Sequence, residues 1–123
     1  SVDIHHIFPK DWCIKNGIES KRYDSIVNKT PLSAKTNRIV GNKAPSSYLA
    51  ILQQQAGIDE SRMDEILSSH MIFPLALRLD DFDEFFSLRE AELLQRIENA
   101  MGKPVVGFSL TTDVFAEDED GDE

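Results

Sequence analysis

The sequence predicts one α+β domain: a strand, a loop, a second strand and a helix at the front, then a mostly helical remainder. Three observations lead there. Residues 2–8 carry Ile4, Ile7 and Phe8 among polar neighbours and stop at Pro9, the pattern of a short strand. Proline and glycine punctuate the chain at Pro31, Gly41, Pro45, Gly57 and Gly102. Beyond Pro45, apolar residues recur at helical spacing. At 123 residues, 41% hydrophobic and 28% charged, the chain is long enough for one folded domain and excludes a disordered protein.

In order, the first strand covers 2–8. Residues 10–24 are polar and mixed, a loop or short helix with a turn signal at Asn16-Gly17. A second short strand is expected over 25–30, after which Pro31 turns the chain. Ser33 is a good N-cap for a helix running to about Val40, with Gly41 as its C-cap. Pro45 opens a helix to Ala56, closed by Gly57. Asp59 caps a helix to about Ser69, with Met63, Ile66 and Leu67 inward. Asp80 or Asp81 caps the longest helix, which ends near Met101 and carries Phe82, Phe85, Phe86, Leu93, Leu94 and Ile97 as its apolar stripe. These aromatics and methionines read as core. Residues 105–110 suggest one weak strand. The organisation expected is a core over 1–49, a helical extension packed on it over 50–102, a short strand within 103–116 and an acidic, disordered tail over 117–123.

Charge is unevenly spread. The net charge is −9, which at first argues against a polyanionic partner. Residues 1–43, however, hold eight Lys/Arg against four Asp/Glu, a net of +4, and the remainder holds five against eighteen, a net of −13. Six of those acids fall in the last seven positions, the composition of a solvated tail. A polyanion would therefore meet the front. The single cysteine, Cys13, rules out an internal disulfide and a multi-cysteine zinc knuckle; beside Trp12 and Ile14 it reads as a buried apolar thiol. No signal peptide or membrane span is visible, which with the lone thiol fits a reducing cytoplasm. The chain opens at Ser1 without a Met and runs at once into a dense motif, which points to a piece of a longer protein.

That motif holds the candidate chemistry. His5 and His6 end the first strand. On a regular strand they would face opposite sides, but where a strand runs into a loop one imidazole can hold a metal and the other a water. Asn28 and Asn37 follow, the latter in the first turns of a helix that can lie across the strand pair. His70, at a helix C-terminus, reads as a partner of the helix dipole.

The segments D-I-H-H-I-F-P-K (3–10), I-V-N-K-T-P-L-S (26–33) and T-N-R-I-V-G-N-K-A-P-S-S-Y-L (36–49) resemble the HNH, or ββα-metal, nuclease motif. They are most similar to the DUF1524-type C-terminal domain that follows a DUF262 domain in GmrSD-like restriction proteins; the last two segments also resemble the HNH domain of the CRISPR effector Cas9. The resemblance is dense over 3–49, looser to about 101, and leaves out the acidic tail. It implies a bacterial, cytoplasmic DNA endonuclease of a modification-dependent restriction or anti-phage system. Its N-terminal DUF262-like sensor would be absent from this chain. By the same resemblance His6 is the general base, His5 and Asn37 hold one divalent metal ion (Mg²⁺, Mn²⁺ or another transition metal), and Asn28 steadies the loop carrying the base. Lys29, Lys35, Arg38 and Lys43 would contact the phosphate backbone. The products would be a 5′ phosphate and a 3′ hydroxyl, and a homodimer for double-strand cleavage stays open. Compared with Asp-His versions of the motif, His5 puts a neutral imidazole in place of an anionic ligand, which leaves the metal preference open. Two other functions also stay open: a non-catalytic nucleic-acid-binding module, and a protein-interaction module using the acidic helices and tail.

Overall fold

The computed structural model describes residues 2–104 and 109–111. The expected order of two strands and a helix is present, with different bounds. Strand β1 (Val2–His6) pairs antiparallel with β2 (Lys29–Ser33), in a register running from Val2 opposite Ser33 to His6 opposite Lys29. Between them lie helices α1 (Lys10–Lys15) and α2 (Ser20–Tyr23), separated by the expected Asn16-Gly17 turn.

Three expectations about the strand pair are corrected. The second strand is not at 25–30: Ser25 accepts a bond from the Val27 amide through its hydroxyl and starts a 3₁₀ turn, Ile26–Asn28. Pro31 does not turn the chain but lies inside β2, opposite Ile4. A two-stranded ribbon points alternate amides outward, and there a proline, which has none, is tolerated. The first strand also stops two residues short of Phe8.

The helical remainder follows its punctuation closely. Helix α3 (Ala34–Val40) starts on Ser33, whose hydroxyl accepts from the Thr36 amide at 3.1 Å, and packs on both strands. Gly41 takes φ +51°, a conformation that favours glycine, and ends it. Helix α4 (Pro45–Ala56) and helix α5 (Glu60–Ser69, capped by Asp59) have the expected limits. A short helix that was not expected, α6 (Pro74–Arg78), is tied back to α5 through Arg78, 2.7 Å from Asp64 and 3.2 Å from Glu60. The two adjacent aspartates divide their work. Asp81 caps helix α7 (Phe82–Met101), accepting from the Glu84 amide; Asp80, at φ +54°, instead accepts from the amide and hydroxyl of Ser46 at the start of α4.

The core joins the front to the helices. Phe8 is fully buried, its ring 5.2 Å from Phe82 and 4.9 Å from Phe85, so the chain leaving β1 is packed directly on α7. Met63, Leu67, Phe85 and Phe86 are buried and Leu93, Leu94 and Ile97 partly so, as the periodicity predicts; Cys13 is buried among them. Among the described residues no helix is long and apolar enough to cross a membrane. The expected strand over 105–110 falls mostly, and the acidic tail wholly, outside the described residues.

Candidate active site at the end of the first strand

The loop after the two histidines is held by one amide side chain. Asn28, fully buried, accepts from the Phe8 amide at 2.8 Å and donates to the Phe8 carbonyl at 3.0 Å and the Tyr23 carbonyl at 2.9 Å. Its own carbonyl accepts from the Ile7 amide at 2.8 Å. Asn28 thus continues the ladder that β1 abandons at His6, and it also anchors the end of α2. The Tyr48 hydroxyl donates to the Ile7 carbonyl at 2.6 Å. Burial first, and the charge of Asp80 second, push that hydroxyl far above its usual range, so it remains a neutral donor. Asn28→Ala removes three bonds between buried groups, and each orphaned partner costs roughly 1 kcal/mol or more. Chemical denaturation should show a loss of about 3 kcal/mol; an unchanged midpoint would mean the loop does not depend on this side chain.

His6 is 2% exposed. Its Nε2 lies 2.8 Å from Oδ1 of Asp24, itself 2% exposed, and the Tyr23 ring meets the imidazole edge-on at 6.1 Å. His6 also borders a largely apolar cavity of about 260 Å³ between the strand pair and helices α3–α5, with Thr30, Leu32, Thr36, Val40 and His70 on its walls. His5 is buried opposite Thr30 in the ribbon. Asn37 sits half-buried on α3, next to Thr36. His5 and Asn37 therefore lie on elements that pack against each other. His70 stands at the C-terminal end of α5, its Nδ1 3.4 Å from the Thr30 hydroxyl.

The basic residues separate. Lys35, Arg38 and Lys43 are exposed on and just after α3, with the Lys43 ammonium folded back on the Ile39 carbonyl at 2.8 Å. Lys29 lies apart from them: it is 4% exposed, because the register places it opposite His6 at the buried end of the ribbon. Arg22 is committed to α7, paired with Asp83 at 2.9 Å and lying 5.1 Å from the rings of Phe82 and Phe86.

Two residues that matter here were not singled out by the sequence. Asp24 carried no periodic or motif signal. Arg89 did carry one, since it falls on the Phe82–Phe85–Phe86 stripe of α7 at helical spacing, where a charge is out of place. It is 5% exposed and donates through Nη1 to the carbonyls of Val27 at 2.6 Å and Lys29 at 3.2 Å, and through Nε to that of His70 at 3.2 Å. Burial lowers its guanidinium to about 10, still charged at neutral pH.

The chain is similar to an uncharacterized protein of Methanocaldococcus jannaschii, 33% identical over 117 aligned residues that take in 78% of this chain and 20% of the relative. The chain thus spans about a fifth of that relative's length. No family model matches the chain, and no solved structure does.

Proposed function

We propose that this chain is the nuclease domain of a metal-dependent HNH endonuclease that hydrolyses DNA phosphodiesters, with His6 as general base. The observation that carries the reading is the Asn28 clamp on the loop after His5 and His6: a buried asparagine fixing the exit of a His-His strand beside a packed helix. An imidazole held in this way suits proton abstraction from water near neutral pH. Lys35 and Arg38 are exposed on α3 and Lys43 is exposed just after it, where the three would hold the phosphate backbone without reading sequence. The wider reading is that of a modification-dependent restriction or anti-phage protein whose DUF262-like sensor lies elsewhere.

The donor chemistry of the site fits an open metal position. Among the described residues no three His, Cys, Asp or Glu side chains form a closed cage. An imidazole and an amide oxygen on facing elements would instead bind an ion through two protein donors, leaving positions for phosphate and water. His5 and Asn37 would hold the ion, which when bound supplies charge neutralisation on the phosphoryl oxygens and Lewis-acid assistance at the 3′ oxygen. His6 takes the proton of the attacking water, and Asn28 keeps the chain on either side of it from shifting.

The test is plasmid nicking by this chain at neutral pH with Mg²⁺, Mn²⁺, Ni²⁺ or EDTA. Cleavage should need a metal and end in a 3′ hydroxyl. The ligand assignment has its own measurement: Asn37→Ala should weaken calorimetric Mn²⁺ binding about tenfold or more as well as slow nicking. Unchanged Mn²⁺ affinity would refute it.

A further inference from the structure

We infer that Asp24 is a positioning residue for His6, fixing the imidazole as its Nε2–H tautomer and so making Nδ1 the atom that accepts the proton of water. The inference rests on the proposed role of His6 as general base. An ionised carboxylate can only accept, so a bond of 2.8 Å between Asp24 Oδ1 and His6 Nε2 requires the hydrogen on Nε2. The lone pair of the neutral ring is then on Nδ1. Both side chains are 2% exposed, so water does not compete for the bond.

The pair is also aligned from both sides by one residue. Asn28 bonds the Phe8 backbone, two positions after His6, and the Tyr23 carbonyl, one position before Asp24. The Asp24 amide is fixed to the Ser20 carbonyl at 2.8 Å, ending α2. A carboxylate kept only for structure would be expected to use both oxygens, yet Oδ2 of Asp24 has no hydrogen-bond partner among the described residues. Its one bond goes to His6. The arrangement follows the logic of a base oriented by a buried acid.

The experiment combines kinetics with ¹⁵N NMR of the His6 ring. The free wild-type chain should show Nε2 bearing the hydrogen and Nδ1 carrying the lone pair. Asp24→Asn, whose amide can donate to Nε2, should displace that tautomer and lower kcat for Mn²⁺-dependent nicking by roughly 10²-fold. KM and Mn²⁺ affinity should stay within about twofold of wild type, because Asp24 is buried behind His6 and is not among the residues proposed to hold DNA or the metal. Asp24→Glu, which returns a carboxylate, should recover about tenfold over Asp24→Asn. A wild-type ring with the hydrogen on Nδ1 would overturn the inference without reference to activity, and so holds even if a variant does not fold. Nicking lost in His6→Ala but unchanged in Asp24→Asn would overturn it while leaving His6 as the base. Nicking retained in His6→Ala would instead remove the reading on which it rests.

Discussion

His6→Ala is expected to lower metal-dependent plasmid nicking by about 10²–10⁴-fold, the usual contribution of a positioned general base. Water is a poor nucleophile toward a phosphodiester unless its proton is taken as it attacks, and a neutral imidazole can take it. The substitution has a second effect that must be kept apart from the first. His6 is buried and bonded to Asp24, so alanine leaves a carboxylate inside the protein without its donor, at a cost of roughly 1–3 kcal/mol. His6→Gln separates the two, because its amide can still donate to Asp24 but cannot act as a base. Both variants should lose nicking to that extent, while only the alanine variant should lose much melting temperature. A folded His6→Gln protein that nicks at the wild-type rate would remove His6 from the chemistry. A wild-type chain silent with Mg²⁺, Mn²⁺ and Ni²⁺ would count against catalysis by this domain as it stands and leave the His6–Asp24 pair a structural element.

What the sequence made legible was whatever local chemistry decides. Ser33, Asp59 and Asp81 cap the helices that follow them, Pro45 opens one, and Gly41, Gly57 and Gly102 close three; each acts within one turn of chain. The α7 stripe was legible for the same reason. The strand pair was legible as a pair but not in its register, because pairing is settled across the ribbon. Ile26 and Val27 have the composition of a strand, yet the Ser25 hydroxyl diverts them into a 3₁₀ turn and moves β2 four residues on. Lys29 is buried opposite His6 for that reason, apart from the exposed Lys35, Arg38 and Lys43. At the site, the histidines and asparagines could be read because they lie in a compact motif. Their partners could not: Asp24 reaches His6 across 18 positions and Arg89 reaches Val27 across 62, and no periodicity links residues so far apart.

That long reach is why Arg89→Met is expected to be among the costly substitutions in the fold, at about 3–5 kcal/mol. Methionine fills much of the space but donates nothing, leaving the buried carbonyls of Val27 and Lys29 and the partly buried ones of Ile26 and His70 without the cation that now bonds all four. A domain typically has about 5–15 kcal/mol in total, so the loss is a large fraction of it. For a chain of this size, melting should fall by roughly 10 °C or more. Arg89→Lys should lose less, because it keeps the charge, but not nothing, since an ammonium cannot spread its donors over four carbonyls as a guanidinium does. The sign with pH follows from the lowered value of about 10: the folded state binds fewer protons than the unfolded only as pH passes through about 10 toward the ordinary arginine range, where stability rises with pH, and near neutrality Arg89 is charged in both. The deficit should therefore be flat between about pH 6 and pH 8. Because Val27 and Lys29 flank Asn28, a chain that survives the substitution should also hold the Asn28 clamp less firmly, and hydrogen exchange at the Phe8 amide should speed up together with the loss of stability. A melting temperature within about 2 °C of wild type would mean that water or other donors satisfy these carbonyls, and the hold of α7 on the front of the chain would then rest chiefly on packing such as that of Phe8 with Phe82 and Phe85.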